Sequence, residues 1–456
     1  MRTIPKNAGL ALIKFSLLTA LSLSMIAKPS LNYAQAMLSK SDTASNSQPF
    51  VSWAKDHVQP LQNSDNAMGT ADLQPLKKML DKARIVALGE PAHGLHETVA
   101  FRNRLFRFLV ENCGFTTIVL EAGLAETRLA ADFIAGKGGS AEAAVRKQTI
   151  GNPAPETITL LEWMRTYNTN PTHKVKLQIY GMDMQLIGFP GDTTPSHAAL
   201  DQALAYLNHT DPPSGREMSA AFSPYLSRLS VAKYPLLSHQ EHDKLSTLLD
   251  DLIALFERER IKFIDGSSKG AYDWGYRNAI VARQTDRMVR VMPPDQPGKI
   301  PPEAWRGMNA RDAAMAENVA WILNNQHDGG KVLVYAHNAH VKNEPTAGGV
   351  WDAFAQPPNS TGQYLRSIFG NDLFIIGTSC NPSIKTAQPG SLDLALLNIG
   401  KPCFFLNLRA ASDNALAAKW LASRRPMEAN TVSYINLSVS KAFDALVLLN
   451  KGTSVK

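Results

Sequence analysis

Cysteine is scarce in this chain: Cys113, Cys380 and Cys403 are the only three in 456 residues. Three cysteines build no disulfide framework, and their spacing matches no zinc-finger pattern. Cys380 and Cys403 both lie near late strand-like runs, so a bond between them stays open; Cys113, before Gly114-Phe115, reads as a small core residue at a helix end. Blocks of Lys and Arg are missing, which argues against nucleic acid as a partner. No P-loop and no dinucleotide fingerprint occurs, so no organic cofactor is implied. The metalloprotease spacing H-E-x-x-H and its inverse are absent as well. Beyond the N-terminus no stretch approaches the roughly 18 apolar residues of a transmembrane helix.

The first 36 residues have a character of their own. Arg2 and Lys6 form a basic start, Leu10 to Ala27 is apolar apart from Lys14 and some Ser and Thr, and Ala34-Gln35-Ala36 has the A-x-A form of a cleavage signal. This pattern predicts a signal peptide cut before Met37, hence a secreted or periplasmic protein without stable membrane insertion after cleavage. The competing reading is a membrane anchor, which Lys14 and the shortage of Leu and Ile oppose. Residues 1–36 hold Arg2, Lys6, Lys14 and Lys28 and no acid, so their removal takes the formal net charge from +7 to +3. The basic balance is then partly a matter of targeting.

What remains is globular in composition, 44% hydrophobic and 19% charged, and long enough for a large core. Residues 37–70 are polar and read as a leader, followed by a helix near Leu73–Ala83. Strand-like apolar runs then appear at Arg84–Leu88, Thr117–Leu120, Lys176–Tyr180, Val332–Tyr335, Leu373–Ile376, Phe404–Leu406 and Ala445–Leu449. Helical patterns fill several gaps, notably His96–Asn112, Pro155–Thr166 and Asp312–Asn325. Alternation of this kind predicts an α/β fold: a mainly parallel central sheet with helices on both faces. The gap between the third and fourth runs is too long for one crossover. Its helical periodicity over about 190–265 suggests an inserted helical subdomain covering the site edge, the alternative being ordinary outer-layer helices.

An open parallel sheet binds its ligand outside the carboxyl ends of its strands. There the sequence places Glu90 and His93 after the first strand, Glu121 after the second, Gly181 and Asp183 after the third, and His337 and His340 after the fourth. Each residue alone has a structural reading; Glu121, for instance, could cap a helix or pair with an arginine. Together they point to a polar active site. Arg102, judged alone, reads as a solvated charge, since His96, Arg102, Asn103 and Arg107 share no single helical face.

Taken in order, Val86-Ala87-Leu88-Gly89-Glu90-Pro91-Ala92-His93-Gly94, Glu97, Arg102, Gly114-Phe115, Glu121-Ala122, Tyr180-Gly181-Met182-Asp183, Arg311-Asp312 with Met315 to Asn318, Ala336-His337-Asn338-Ala339-His340-Val341 and Phe443-Asp444-Ala445-Leu446 resemble the signatures of the erythromycin esterase family. The resemblance spans roughly residues 70–450. It implies hydrolysis of an ester, typically the macrolactone of a macrolide antibiotic, without a serine nucleophile. His93 would be the general base, Glu90 and Glu121 would position it or the water, and Arg102, His337 and His340 would stabilise developing charge or orient substrate. Asp183 and His96 are candidates for substrate contact. Pro91 departs from the family pattern: it fixes φ and removes an N–H, so the loop's hydrogen bonding is expected to differ.

Three other readings remain. Gly266-Ser267-Ser268-Lys269-Gly270 matches G-x-S-x-G, with Ser268 as nucleophile, but follows a charged helical run instead of a strand. The histidines and carboxylates are of metal-ligand type, which would suit a divalent-metal hydrolase at the same site. A non-catalytic periplasmic binding protein is the third; it needs neither the paired carboxylates nor the histidines. Tyr272, Trp274, Tyr276 and Trp305 could line an apolar site for a large ring, or could belong to the core.

Overall fold

A computed structural model of the chain describes residues 46–62, 69–148, 154–184, 196–230, 232–293, 300–326, 330–380, 388–430, 433–449 and 451–455. The N-terminal targeting pattern and the start of the expected insertion lie outside these residues.

Among the described residues there are ten strands: β1 Val58–Pro60, β2 Ile85–Glu90, β3 Phe115–Gly123, β4 Gln178–Asp183, β5 Lys331–His337, β6 Leu373–Cys380, β7 Phe404–Asn407, β8 Arg424–Ala429, β9 Ser433–Ser438 and β10 Ala445–Leu449. Eight of them make one sheet, in the order β1-β7-β10-β6-β2-β5-β3-β4. It is parallel from β10 to β4, while β7 runs antiparallel to both β10 and β1 at the far edge. The apolar runs become strands because both faces are covered. Every residue of β2, β6 and β10 is buried. Ile85 and Ala87 enter one core and Val86 and Leu88 the other, as the two-residue period of a strand requires.

Helix α1 (His96–Cys113) lies on the second face. Phe101, Leu105, Phe108 and Leu109 form its buried stripe. It ends where Gly114 takes φ +72°, a left-handed cap that glycine adopts without a Cβ penalty. Between β4 and β5 run α2 (Ala198–Thr210), α3 (Pro212–Leu226), α4 (His239–Arg258), α5 (Arg260–Asp265) and α6 (Lys269–Val291), past the residue-265 limit expected from sequence. They share a core of their own, with Leu204, Leu207, Leu249, Phe256 and Phe263 at its centre. Helix α7 (Trp305–Asn324) then returns to the sheet: Asn318 accepts from Arg277 of α6 and donates to the carbonyl of Met182 in β4.

The stretch read as a leader contains a helix, Gln48–His57, and the edge strand β1. Phe50 stacks on Trp420 with ring centroids 4.3 Å apart, so this segment belongs to the core. The helix expected near Leu73–Ala83 is a 3-10 turn, Ala71–Leu76, followed by Lys77–Leu80. The β8–β9 hairpin has no counterpart among the strand-like apolar runs of the sequence. All three cysteines are buried, and no disulfide joins Cys380 to Cys403. Among the described residues no helix is long and apolar enough to cross a membrane.

Candidate active site

The carboxyl ends of β2, β5, β3 and β4 are neighbours, and Glu90 lies directly opposite His337 in the register. Glycine makes the close approach possible. A Cβ on Gly89 would sit 2.1 Å from the Asn338 side-chain oxygen, and Asn338 in turn bonds both the carbonyl and the N–H of Thr378 on β6. The strand ends are thereby stapled side by side.

His93 sits in the turn after β2 with its side chain 28% exposed. Its Nδ1 lies 2.7 Å from Glu90 Oε1, while Nε2 faces Glu121 Oε1 at 3.9 Å. Glu90 takes a second hydrogen bond, from the Tyr335 hydroxyl. Burial pushes the His93 imidazole down, but the charge of Glu121 and the hydrogen bond and charge of Glu90 outweigh it, and its pKa rises to about 9. Glu121 is opposed by burial, yet His340, His93 and Arg311 and the His337 N–H hold its carboxyl well below the usual range.

Behind Glu121 lies Arg311 of α7, 1% exposed. Its guanidinium grips Asp183 at 2.6 and 3.0 Å, Glu121 at 3.0 Å, and approaches His340 Nε2 at 3.2 Å. The cation that these carboxylates surround is therefore an arginine. His340 Nδ1 lies 2.8 Å from Asp312 Oδ1, which also accepts from the N–H and hydroxyl of Thr361. That contact keeps Nδ1 protonated and turns Nε2 toward Glu121, at 3.4 Å.

The structure gives the remaining candidates other tasks. Both ring nitrogens of His337 are in use: Nε2 donates to the carbonyl of Pro91 at 2.9 Å, and Nδ1 accepts the N–H of Ala339. Burial first, then the charge of His93, lowers its pKa to about 3, so it is neutral and is no oxyanion-stabilising cation. Arg102 is buried, not solvated: it donates to Asn103 and Thr157 and lies 5.0 Å over the Tyr335 ring, in a second layer behind Glu90. Asp183 is saturated by Arg311 and the Met184 N–H, leaving nothing for a substrate. His96 turns away from the cluster to pair with Glu156. Pro91 contributes its carbonyl, which accepts from both the Asn430 N–H and His337.

The site also depends on Arg311, Asp312 and Tyr335, whose roles the sequence pattern does not reveal. The signal was faint: a charged pair within a helix that also carries Arg306 and Glu317, and a tyrosine two residues before His337 on the same strand face. Ser268 is the N-cap of α6, its hydroxyl accepting the Ala271 N–H, which accounts for the G-x-S-x-G match as a helix start. Tyr272, Trp274 and Tyr276 pack in the helical core and Trp305 in a small satellite cluster, so they form no common wall.

The erythromycin esterase family model matches residues 110–452. Erythromycin esterase type II of Escherichia coli is 25% identical over 434 residues, covering 89% of this chain and 98% of that protein. Erythromycin esterase type I of Escherichia coli is 22% identical, covering 60% and 66%. A solved Bacillus cereus protein superposes with a TM-score of 0.75 at 26% identity, covering 90% and 99%. A mutant of the erythromycin esterase EreC in its open conformation superposes with a TM-score of 0.65 at 17% identity, covering 88% and 98%, and shares the fold.

Proposed function

The chain belongs to the erythromycin esterase family, and on that premise we propose that it hydrolyses a carboxylic ester of the macrolactone type with water activated by His93 and no serine nucleophile. The observation that carries this reading is the ring of His93, pinned through Nδ1 on Glu90 with Nε2 turned to the accessible side opposite Glu121. A gap of 3.9 Å lets one water hydrogen-bond both groups.

In the neutral form of His93, Nε2 takes a proton from that water as its oxygen bonds to the ester carbonyl carbon. The carbonyl electrons move to the oxyanion, beside the newly formed imidazolium. Collapse breaks the carbon–alkoxide bond, and the imidazolium returns its proton to the departing alkoxide. Glu90 stays anionic throughout and fixes the tautomer, as a buried carboxylate does for a catalytic histidine. Arg311 and the Asp312–His340 pair hold Glu121 in place, while Arg102 supports Glu90 through Tyr335. The substrate is a small-molecule ester. No step runs through a metal, so EDTA leaves the rate unchanged.

Erythromycin and a panel of simpler lactones, incubated with residues 37–456 and followed by mass spectrometry, test the reading. A gain of one water with the parent, absent with His93→Asn, is expected. An unchanged macrolide beside a hydrolysed simpler lactone would move the substrate and keep the chemistry. Hydrolysis of nothing, or full turnover by His93→Asn, would remove the mechanism and favour a binding protein. Export is a further part of the proposal, supported by the N-terminal pattern; a mature N-terminus at Met37 in the exported protein is the expected result.

A further inference from the structure

Residues 451–455 follow β10 and take no part in the chemistry above. In the sheet β6 separates β10 from β2, so the chain crosses the end of β6 to reach the turn that carries His93. The crossing is close: a Cβ on Gly452 would lie 3.2 Å from the Cβ of Cys380, the last residue of β6. The segment then pairs with the second half of the His93 turn. Leu95 and Ser454 form an antiparallel bridge. The Val455 N–H donates to the Gly94 carbonyl at 2.8 Å, and the His96 N–H donates to the Thr453 carbonyl at 2.7 Å. The His96 N–H is a first-turn donor of α1 that no carbonyl of its own helix can satisfy.

Thr453 also binds Glu97 in the first turn of α1. Its N–H donates to Glu97 Oε2 at 2.7 Å and its hydroxyl donates to Oε1 at 2.8 Å. Glu97 is buried, and no ion pair reaches it among the described residues. A buried carboxylate stripped of these donors is costly, so Thr453 is fastened through its N–H, its carbonyl and its hydroxyl together. His93 therefore lies between two fixed points. Ahead of it, the Pro91 carbonyl is held by His337 and the Asn430 N–H. Behind it, Gly94 sits at φ +73° with its carbonyl held by Val455. The shape of this turn sets the reach of the ring to Glu90, 2.7 Å away.

We propose that residues 453–455 are a strap that positions His93: by clamping Gly94, His96 and Glu97 they hold its ring on Glu90, with Thr453 and Glu97 as the positioning residues. The effect on rate rests on the hydrolytic reading above, whereas the effect on the ring is read without any ester. Once the strap is released, Gly94 is free to leave its left-handed conformation and His93 to swing away from its carboxylates. Burial alone depresses the imidazole; the charge of Glu121 and the hydrogen bond and charge of Glu90 raise it to about 9. A ring that swings out to solvent loses all of these and titrates nearer its ordinary 6.5.

The experiment joins histidine-ring NMR to steady-state kinetics on residues 37–456, with His93→Asn assigning the His93 resonance. Thr453→Pro and Val455→Pro each delete one strap N–H. Both should move the His93 titration from about 9 toward 6.5 and carry the pH–rate limb to lower pH with it. Above the limb, kcat should fall on the order of 10–100-fold while KM stays nearly constant, as for a misplaced reacting group. Thr453→Ser keeps the hydroxyl and the N–H and should match the parent in both readings. If Thr453→Pro does not fold, Val455→Pro decides, since it leaves Glu97 its donors. A His93 titration unmoved in the folded proline variants would overturn the strap, whether or not kcat falls. A parent that hydrolyses no ester would sink the hydrolytic reading alone, and the ring titration would still decide this one.

Discussion

His93 shows how far one residue's surroundings reset its chemistry. An imidazole of ordinary pKa near 6.5 would be an available base at neutral pH. Between Glu90 and Glu121 it holds its proton to about pH 9, so the hydrolytic rate should climb with pH along a limb displaced well above 6.5. A pH–rate profile with an activated ester checks this; a limb near 6.5 would mean the carboxylates do not act on it. His93→Asn should lower kcat/KM on the order of 10²–10⁴-fold with the fold intact by circular dichroism. Asp312→Asn should cost less and act through His340: the loss should appear in kcat more than in KM, with His340 ring-nitrogen NMR shifts reporting the altered tautomer. The acids and histidines of the first and fourth strand ends were legible because they follow apolar runs. The task of each was not, since His337 and Asp183 sit at the expected edge and are spent on holding other groups, and Arg102 is buried behind it, not solvated.

At the scale of elements, α7 joins the two cores to the site. Arg311 bridges Glu121 and Asp183 from two strands while fully buried. Replacing it by Met leaves two buried carboxylates without their cation, a loss of about 3–5 kcal/mol expected by denaturant unfolding. Phe256 lies fully buried in the separate core of α2 to α6. Phe256→Ala should cost about 3–5 kcal/mol, with hydrogen-exchange protection falling first in residues 198–291 and last in β2 and β6. The long parallel strands and α1 could be read from apolar runs and a Gly114 cap. β1 and the β8–β9 hairpin could not, because Val58–Pro60 and Arg424–Ala429 include prolines and charged residues and become strands only by pairing with β7 and β9.

For the whole molecule the titrations combine into a pH dependence of stability. His93 is raised, so its contribution is complete below about 6.5 and is lost as pH rises toward 9. His337 is lowered to about 3, so the neutral ring contributes above about 6.5 and that contribution drains away as pH falls toward 3. Glu121 is depressed and adds a second loss on the acid side, below the ordinary carboxyl range. These three groups together contribute most near pH 6.5, while the raised Glu126 and Glu428 carboxyls act in the opposite sense between about 4.5 and 7. In His93→Asn the alkaline decline should shrink while the acid decline remains, which calorimetry across pH 4–9 would read directly.

Sequence by itself determined the class of sheet, the two motifs that supply its histidines, and the ordered signatures that mark the family. These are local properties: apolar runs of strand length, a glycine after a helix, and residue types clustered at strand ends. Tertiary structure alone decided that Arg311, nearly two hundred residues from Glu121, is the cation at the centre, that His337 is a neutral brace and that His96 belongs to Glu156. The physical reason is that charge pairing and desolvation act through space. They depend on which strand ends become neighbours, and that follows from the order β2-β5-β3-β4, not from the order of the chain.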